Sequence, residues 1–256
     1  MLNAKAVLIA VSSLATISAF AEESAKKFHP WEILLFGGTS ALDADNTLIH
    51  ISEDETDKIT QSNAGDWKSW SLQLGLGYII PLSDAKHRTK KFQWFPSIEP
   101  QMNLYFLKGN IEGAVDRFYQ YAGNYSDTDY KINLESTRLM FDIALTFASY
   151  RNFSIFGIAG IGPSWNRIGY DTGVVNEAEL HLSKKTQTNF AYEFGGGISY
   201  AFTEHLSVTG EYLFTGFNNI ELSENGIEGN DREITVKSDK FDLNAQTVFF
   251  GLRYAF

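Results

Sequence analysis

Cysteine is absent from the 256 residues, so disulfides and thiolate-bound metals play no part in this chain. Proline is scarce at five residues, which leaves long stretches of backbone free to donate to strand ladders. Beyond Ala21 no run of eighteen apolar residues occurs, and a membrane-crossing helix is therefore excluded. The five histidines stand singly, without the spacing of a metal site, and the acidic stretches lack the D-x-D-x-D-G pattern of a calcium loop. Basic residues are the minority charge. With a net charge of -10, nucleic acid and acidic polymers are excluded as partners, because like charges repel.

Aromatic residues, by contrast, make up 14% of the chain, and 21 glycines accompany them, a mixture that favours strands over helices. The N-terminus has its own pattern: Lys5, an apolar run from Ala6 to Ile17, then Ala19-Phe20-Ala21. Short basic start, apolar stretch and small-x-small site together predict a secretory signal over 1–21, with the mature protein over 22–256 as one domain.

Within the mature part the main signal is period two, the repeat of a strand whose side chains alternate across a sheet. The cleanest instance lies in 67–82. There Trp70, Leu72, Leu74, Leu76, Tyr78 and Ile80 alternate with Ser69, Ser71, Gln73, Gly75 and Gly77. The terminal stretch 241–256 does the same, with Val248, Phe250, Leu252, Tyr254 and Phe256 against Thr247, Phe249, Gly251, Arg253 and Ala255. Six further segments complete the series: 31–40, 92–107, 134–147, 153–167, 187–202 and 206–217. Pro96 and Pro100 interrupt the third segment, so a bulge or break is expected there.

Eight strands result, joined alternately by four long connections (41–66, 108–133, 168–186, 218–240) and three short ones. An apolar stripe about 25 Å tall needs about ten tilted strand residues, which these segments supply. A soluble sandwich would leave one face charged and solvated. Here the second face is mostly Gly, Ser, Thr, Ala, Asn and Gln, which suits a narrow lumen. The expected fold is all-β: an eight-stranded antiparallel transmembrane β-barrel with four long extracellular loops and three short periplasmic turns.

The terminal stretch resembles the C-terminal targeting strand of bacterial outer-membrane barrels, in which a glycine, an aliphatic or aromatic residue and a final Phe recur, and Gly251, Tyr254 and Phe256 occupy those places. The stretch E-F-G-G-G-I-S-Y-A-F-T-E-H-L-S-V-T-G-E-Y within 191–212 resembles the penultimate hairpin of small barrels of the outer-membrane-protein-A and opacity type. That resemblance implies a bacterial outer-membrane location. The partners it implies are outer-membrane lipid and lipopolysaccharide, the barrel-assembly machinery during insertion, and host or cell-surface molecules at the loops.

Three sets of residues are candidates for function. Glu32, Glu99, Arg138, Asp142, Glu193, Glu211 and Arg253 fall on the inward face and predict a lumen charge network, since buried charges must be paired or hydrated. Tyr119, Tyr121, Tyr125 and Tyr130 in the second long connection are amphipathic and are candidate loop contacts. The clustered loop acids, Glu53-Asp54-Glu55 among them, offer a bridge through divalent cations to phosphorylated lipopolysaccharide. His181 and Ser183, two apart, resemble the His/Ser pair of lipid A deacylating barrels but lack the flanking motif of those enzymes. No catalytic residue, cofactor or metal is expected. The functional expectation is a structural, adhesin-like role without enzymatic activity; the alternative is a narrow channel for small or hydrophobic solutes.

Overall fold

The computed structural model describes residues 30–51, 56–61, 63–82, 92–116, 126–173, 180–229 and 232–256. Among these residues fourteen strands follow in chain order: β1 Trp31–Ala44, β2 Thr47–His50, β3 Thr56–Gln61, β4 Ser69–Tyr78, β5 Ile80–Pro81, β6 Phe92–Asp116, β7 Ser126–Tyr150, β8 Phe153–Thr172, β9 Leu180–Ala201, β10 Leu206–Ile220, β11 Asn225–Glu228, β12 Arg232–Thr235, β13 Lys237–Ser238 and β14 Phe241–Ala255. Eight of them close a ring. The order is β1–β4–β6–β7–β8–β9–β10–β14, and β14 returns to β1 with Glu32 opposite Ala255 and Ala44 opposite Leu243. Every pairing in the ring is antiparallel. Closure gives each wall strand a neighbour on both sides, so the backbone hydrogen-bonds to itself and needs no water.

The alternation decides which side chains face out. On β4, Trp70, Leu74, Leu76 and Tyr78 are exposed while Ser69, Ser71 and Gln73 are buried. On β9, Phe190, Tyr192, Phe194 and Ile198 are exposed while Ala191 and Glu193 are buried. The outer surface thus carries a continuous apolar band. Trp31, Tyr78, Phe92, Phe153 and Phe256 ring its short-turn end, and Trp70 and Trp165 mark the other, as aromatic girdles do. At the short-turn end the seam is fastened by backbone: the Phe256 N–H donates to Trp31 O at 2.9 Å. His205 Nδ1 lies 2.9 Å from Ala255 O, holding the β9–β10 turn to the last strand.

Phe95 takes a left-handed φ of 46°, and the β6–β7 register shifts between Trp94 and Ser97, so the bulge falls at Pro96. The ladder against β4 ends at Gly77↔Gln101 and resumes with β5 at Ile80↔Ile98, which leaves Pro100, without an N–H to give, in the gap.

The long connections differ from expectation. Much of what reads as loop is strand: β6 and β7 run for 25 residues each, and β2, β3, β11, β12 and β13 build onto the far end of the wall. A 25-residue strand extends about 80 Å along its own axis, more than twice what the apolar band requires even when tilted. The barrel therefore stands well proud of the band at its long-hairpin end. Polar, Gly-rich composition misleads there because an outward face in water alternates less sharply than one in lipid.

Candidate functional site

The seven inward charges lie in the lumen, between the two girdles, in two layers. Near the short-turn end, Arg253 on β14 meets Glu32 on β1 at 2.8 Å and also donates to Glu99 on β6. Its guanidinium stands over the Phe156 ring, 5.7 Å from the centroid. Further in, Arg138 on β7 is only 1% exposed and lies 4.0 Å from Glu193 on β9. Its guanidinium is sandwiched by Tyr105 at 5.0 Å and Phe217 at 5.1 Å. Asp142, four residues along β7, accepts 2.6 Å from Asn103 Nδ2, which also donates to Gln101 at 2.9 Å. Glu211 on β10 is buried between the layers and within electrostatic reach of Arg253.

Neutral groups complete the wall between these charges. Ser40 shares hydrogen bonds with Ser71 at 2.7 Å and Thr247 at 2.8 Å, tying β1 to both its neighbours from inside. Tyr105 was not selected from the sequence, although it stands two residues beyond Asn103 and so has the same inward parity. It touches both the cation and, across the lumen, Phe249, with ring centroids 5.9 Å apart.

Beyond Arg138 the lumen changes character. Leu42, Leu107, Ile111, Leu134, Ile168, Phe217, Ile220 and Leu243 are all at most 3% exposed and form one packed core with Ile49, Ile59, Val115 and Leu182 further out. Expected here were small and polar residues; instead the outer part of the interior is filled by branched aliphatics and aromatics. The physical reason is the height of the wall. Strands that rise past the lipid band into water need an apolar core of their own, as any water-exposed sheet does.

Fold and interior decide the assignment together with one sequence comparison: residues 7–256 match the outer membrane protein beta-barrel domain. The chain belongs to that family. No curated protein matches the sequence. Among solved structures the barrel is similar to Neisserial surface protein A, at 14% identity over 88% of this chain and 97% of that one, with a TM-score of 0.37. It is also similar to Ail of Yersinia pestis, at 8% identity over 89% of this chain and 100% of that one, with a TM-score of 0.33. OprG of Pseudomonas aeruginosa matches at 14% identity over 91% and 99%, with a TM-score of 0.37. The family match carries the assignment, and the protein is accordingly an outer-membrane β-barrel.

The other candidates fare unevenly. Gly251 has a packing reason: a Cβ there would lie 2.2 Å from Leu35 O and 2.6 Å from the Phe36 ring. Tyr254 stacks on His205 with centroids 6.0 Å apart. Tyr130 is corrected. It is 4% exposed, stacked 5.8 Å from Tyr170 inside the wall, and so is a core residue of β7 rather than a loop contact. Tyr119, Tyr121 and Tyr125 lie outside the described residues, as do 1–21 and Glu53-Asp54-Glu55. His181 pairs across β8–β9 with Asp171, whose other oxygen accepts from Asn133 at 3.0 Å. Neither partner was singled out from the sequence.

Proposed function

We propose that this barrel is a non-conducting, non-enzymatic surface protein that stabilises the outer membrane and presents its long hairpins to other cells or matrix. The observation that carries the reading is the apolar core over the charged lumen. An ion crossing it would give up its hydration for a packed hydrocarbon interior, at a cost of many kcal/mol. An eight-stranded wall also leaves room for little but side chains. The hairpin end, standing clear of the lipid band, is the part available to a receptor.

A narrow channel is the second reading, favoured by the polar, charged half of the lumen near the short turns. Planar-bilayer recording separates the two. The closed barrel gives no nanosiemens steps in its refolded form, and reproducible steps of that size would remove the first reading.

Three further expectations belong to the same proposal. Residues 1–21 are removed on export, which N-terminal sequencing of the mature protein tests. Gly251, Tyr254 and Phe256 serve insertion through the assembly machinery, read as folded yield in membranes. Non-enzymatic character implies that His181→Ala leaves the lipid A acylation pattern unchanged. The supporting geometry is that His181 lies seven positions along β9 beyond Thr188, the residue opposite the girdle residue Trp165. That places it some 15–20 Å above the acyl chains it would have to reach.

A further inference from the structure

The outward side of the wall carries a cluster of charge at the edge of the apolar band. From the outer girdle at Trp70 one ladder row runs Trp70↔Lys108↔Glu135↔Arg167↔Thr186 across β4, β6, β7, β8 and β9. Each of the three charged residues stands two positions further out than an outward neighbour in the band: Phe106, Thr137 and Trp165. Lys108 Nζ lies 2.7 Å from Glu135 Oε1. Arg167 and Lys184, from the two following strands, are exposed and close enough to act electrostatically on the same carboxylate. A groove of about 410 Å³ runs through this row, with Trp70, Phe106 and Trp165 at its lipid side and Lys108 and Arg167 at its outer side.

Three cations thus share one acid in a chain whose formal charge is -10. One carboxylate cannot balance three cations, and the excess positive charge repels itself and gains nothing from hydrocarbon, so the cluster lowers its energy by meeting an anion. Its position selects which anion. The groove opens at the boundary where hydrocarbon gives way to headgroups, where indole rings settle. An occupant must offer acyl chains below, a sugar-sized polar body between the indoles and phosphate at the height of Lys108 and Arg167. A guanidinium matches phosphate with two parallel hydrogen bonds.

We infer that this groove on the β4–β9 side of the wall binds a phosphorylated glycolipid of the outer leaflet, held by Lys108, Arg167 and Lys184 and flanked by Trp70 and Trp165. Contact is direct, from side-chain cations to phosphate. The acidic loops and their divalent bridges are a separate matter. The inference rests only on placement in the outer membrane, and conduction or receptor binding would leave it untouched.

Native mass spectrometry of the refolded barrel in detergent tests it, with three probes: a diphosphoryl glycolipid, the same lipid with its phosphates removed, and inorganic pyrophosphate. The diphosphoryl lipid is expected to bind at least about ten-fold more tightly than the dephosphorylated one. The variant Lys108→Gln/Arg167→Gln/Lys184→Gln is expected to lose that preference by about ten-fold or more. The variant Arg232→Gln/Lys237→Gln/Lys240→Gln removes equal charge at the far end and stays within about two-fold of the parent. Should the first triple variant fail to refold, Lys108→Gln and Arg167→Gln singly read the same effect, each at about three-fold. Equal binding of the dephosphorylated lipid, an unaffected lipid affinity in the row variants, or an equal loss in the far-end variant overturns the inference. Displacement of the lipid by pyrophosphate at matched concentration would show a plain anion site and overturn it too.

Discussion

Replacing Arg138 by methionine removes the cation that lies beside Glu193, the only one there among the described residues, while keeping most of the volume between Tyr105 and Phe217. At 4.0 Å, and with an effective dielectric constant of about 20, the attraction is worth about 4 kcal/mol. Experience with buried pairs gives a similar figure: removing one partner costs about 3–5 kcal/mol, because the other is left buried and uncompensated. Replacing Glu193 by glutamine as well removes the nearest stranded carboxyl, while Asp142 keeps its hydrogen bond from Asn103, so the double variant is expected to recover more than half of the loss. Reversible urea unfolding in lipid vesicles, followed by tryptophan fluorescence and by the gel shift between folded and heated forms, measures all four corners of the cycle. A single-variant cost below about 1 kcal/mol, or a double variant no better than the single, would show that the pair does not hold the lumen together.

The last strand and the long-hairpin end supply the remaining expectations. Gly251→Val drives its side chain into the Phe36 ring and is expected to cost about 1–3 kcal/mol in the same assay, with Gly251→Ala milder. Phe249→Ala empties the space between Phe36 and Tyr105 and is expected to cost about 3–5 kcal/mol; a loss under 1 would mean that the lumen collapses to fill it. Hydrogen bonds from Lys185 and Lys240 hold the Glu221 carboxyl below the usual carboxylate range. A depressed value means stability present above the unfolded pKa and lost as pH falls through the folded one. The protection of the Leu222 amide, corrected for intrinsic exchange, should therefore fall only in acid, below about pH 4, and modestly, since water reaches all three side chains. Protection that is flat with pH, or that falls on the alkaline side, contradicts this.

Much of the molecule follows from local rules. Period two in 67–82 and 241–256 is enough to assign each side chain a face, because a pleated strand has no other choice. Trp31 and Ile33 outward with Glu32 inward, and the inward placement of all seven charges, are consequences of that parity alone, while the bulge near Pro96 follows from the proline ring that removes an N–H. A closed ring follows from eight such segments, since lipid tolerates no free strand edge.

Parity says which face a residue is on and nothing about height or neighbour. Strand stagger alone makes Arg253 the partner of Glu32 and Glu99, and Arg138 that of Glu193, across as many as 221 residues of sequence. Height explains the loops that turned out to be wall, and Tyr130 inside it, because a strand leaving the membrane loses the sharp contrast that lipid imposes on its outer face. Depth in the lumen explains the apolar core beyond Arg138: those residues belong to four separate stretches of chain, and only closure stacks them on one another. Lys108, Arg167 and Lys184 are dispersed over 77 residues and come together around Glu135 solely because four consecutive wall strands, β6 to β9, carry them to nearly one level.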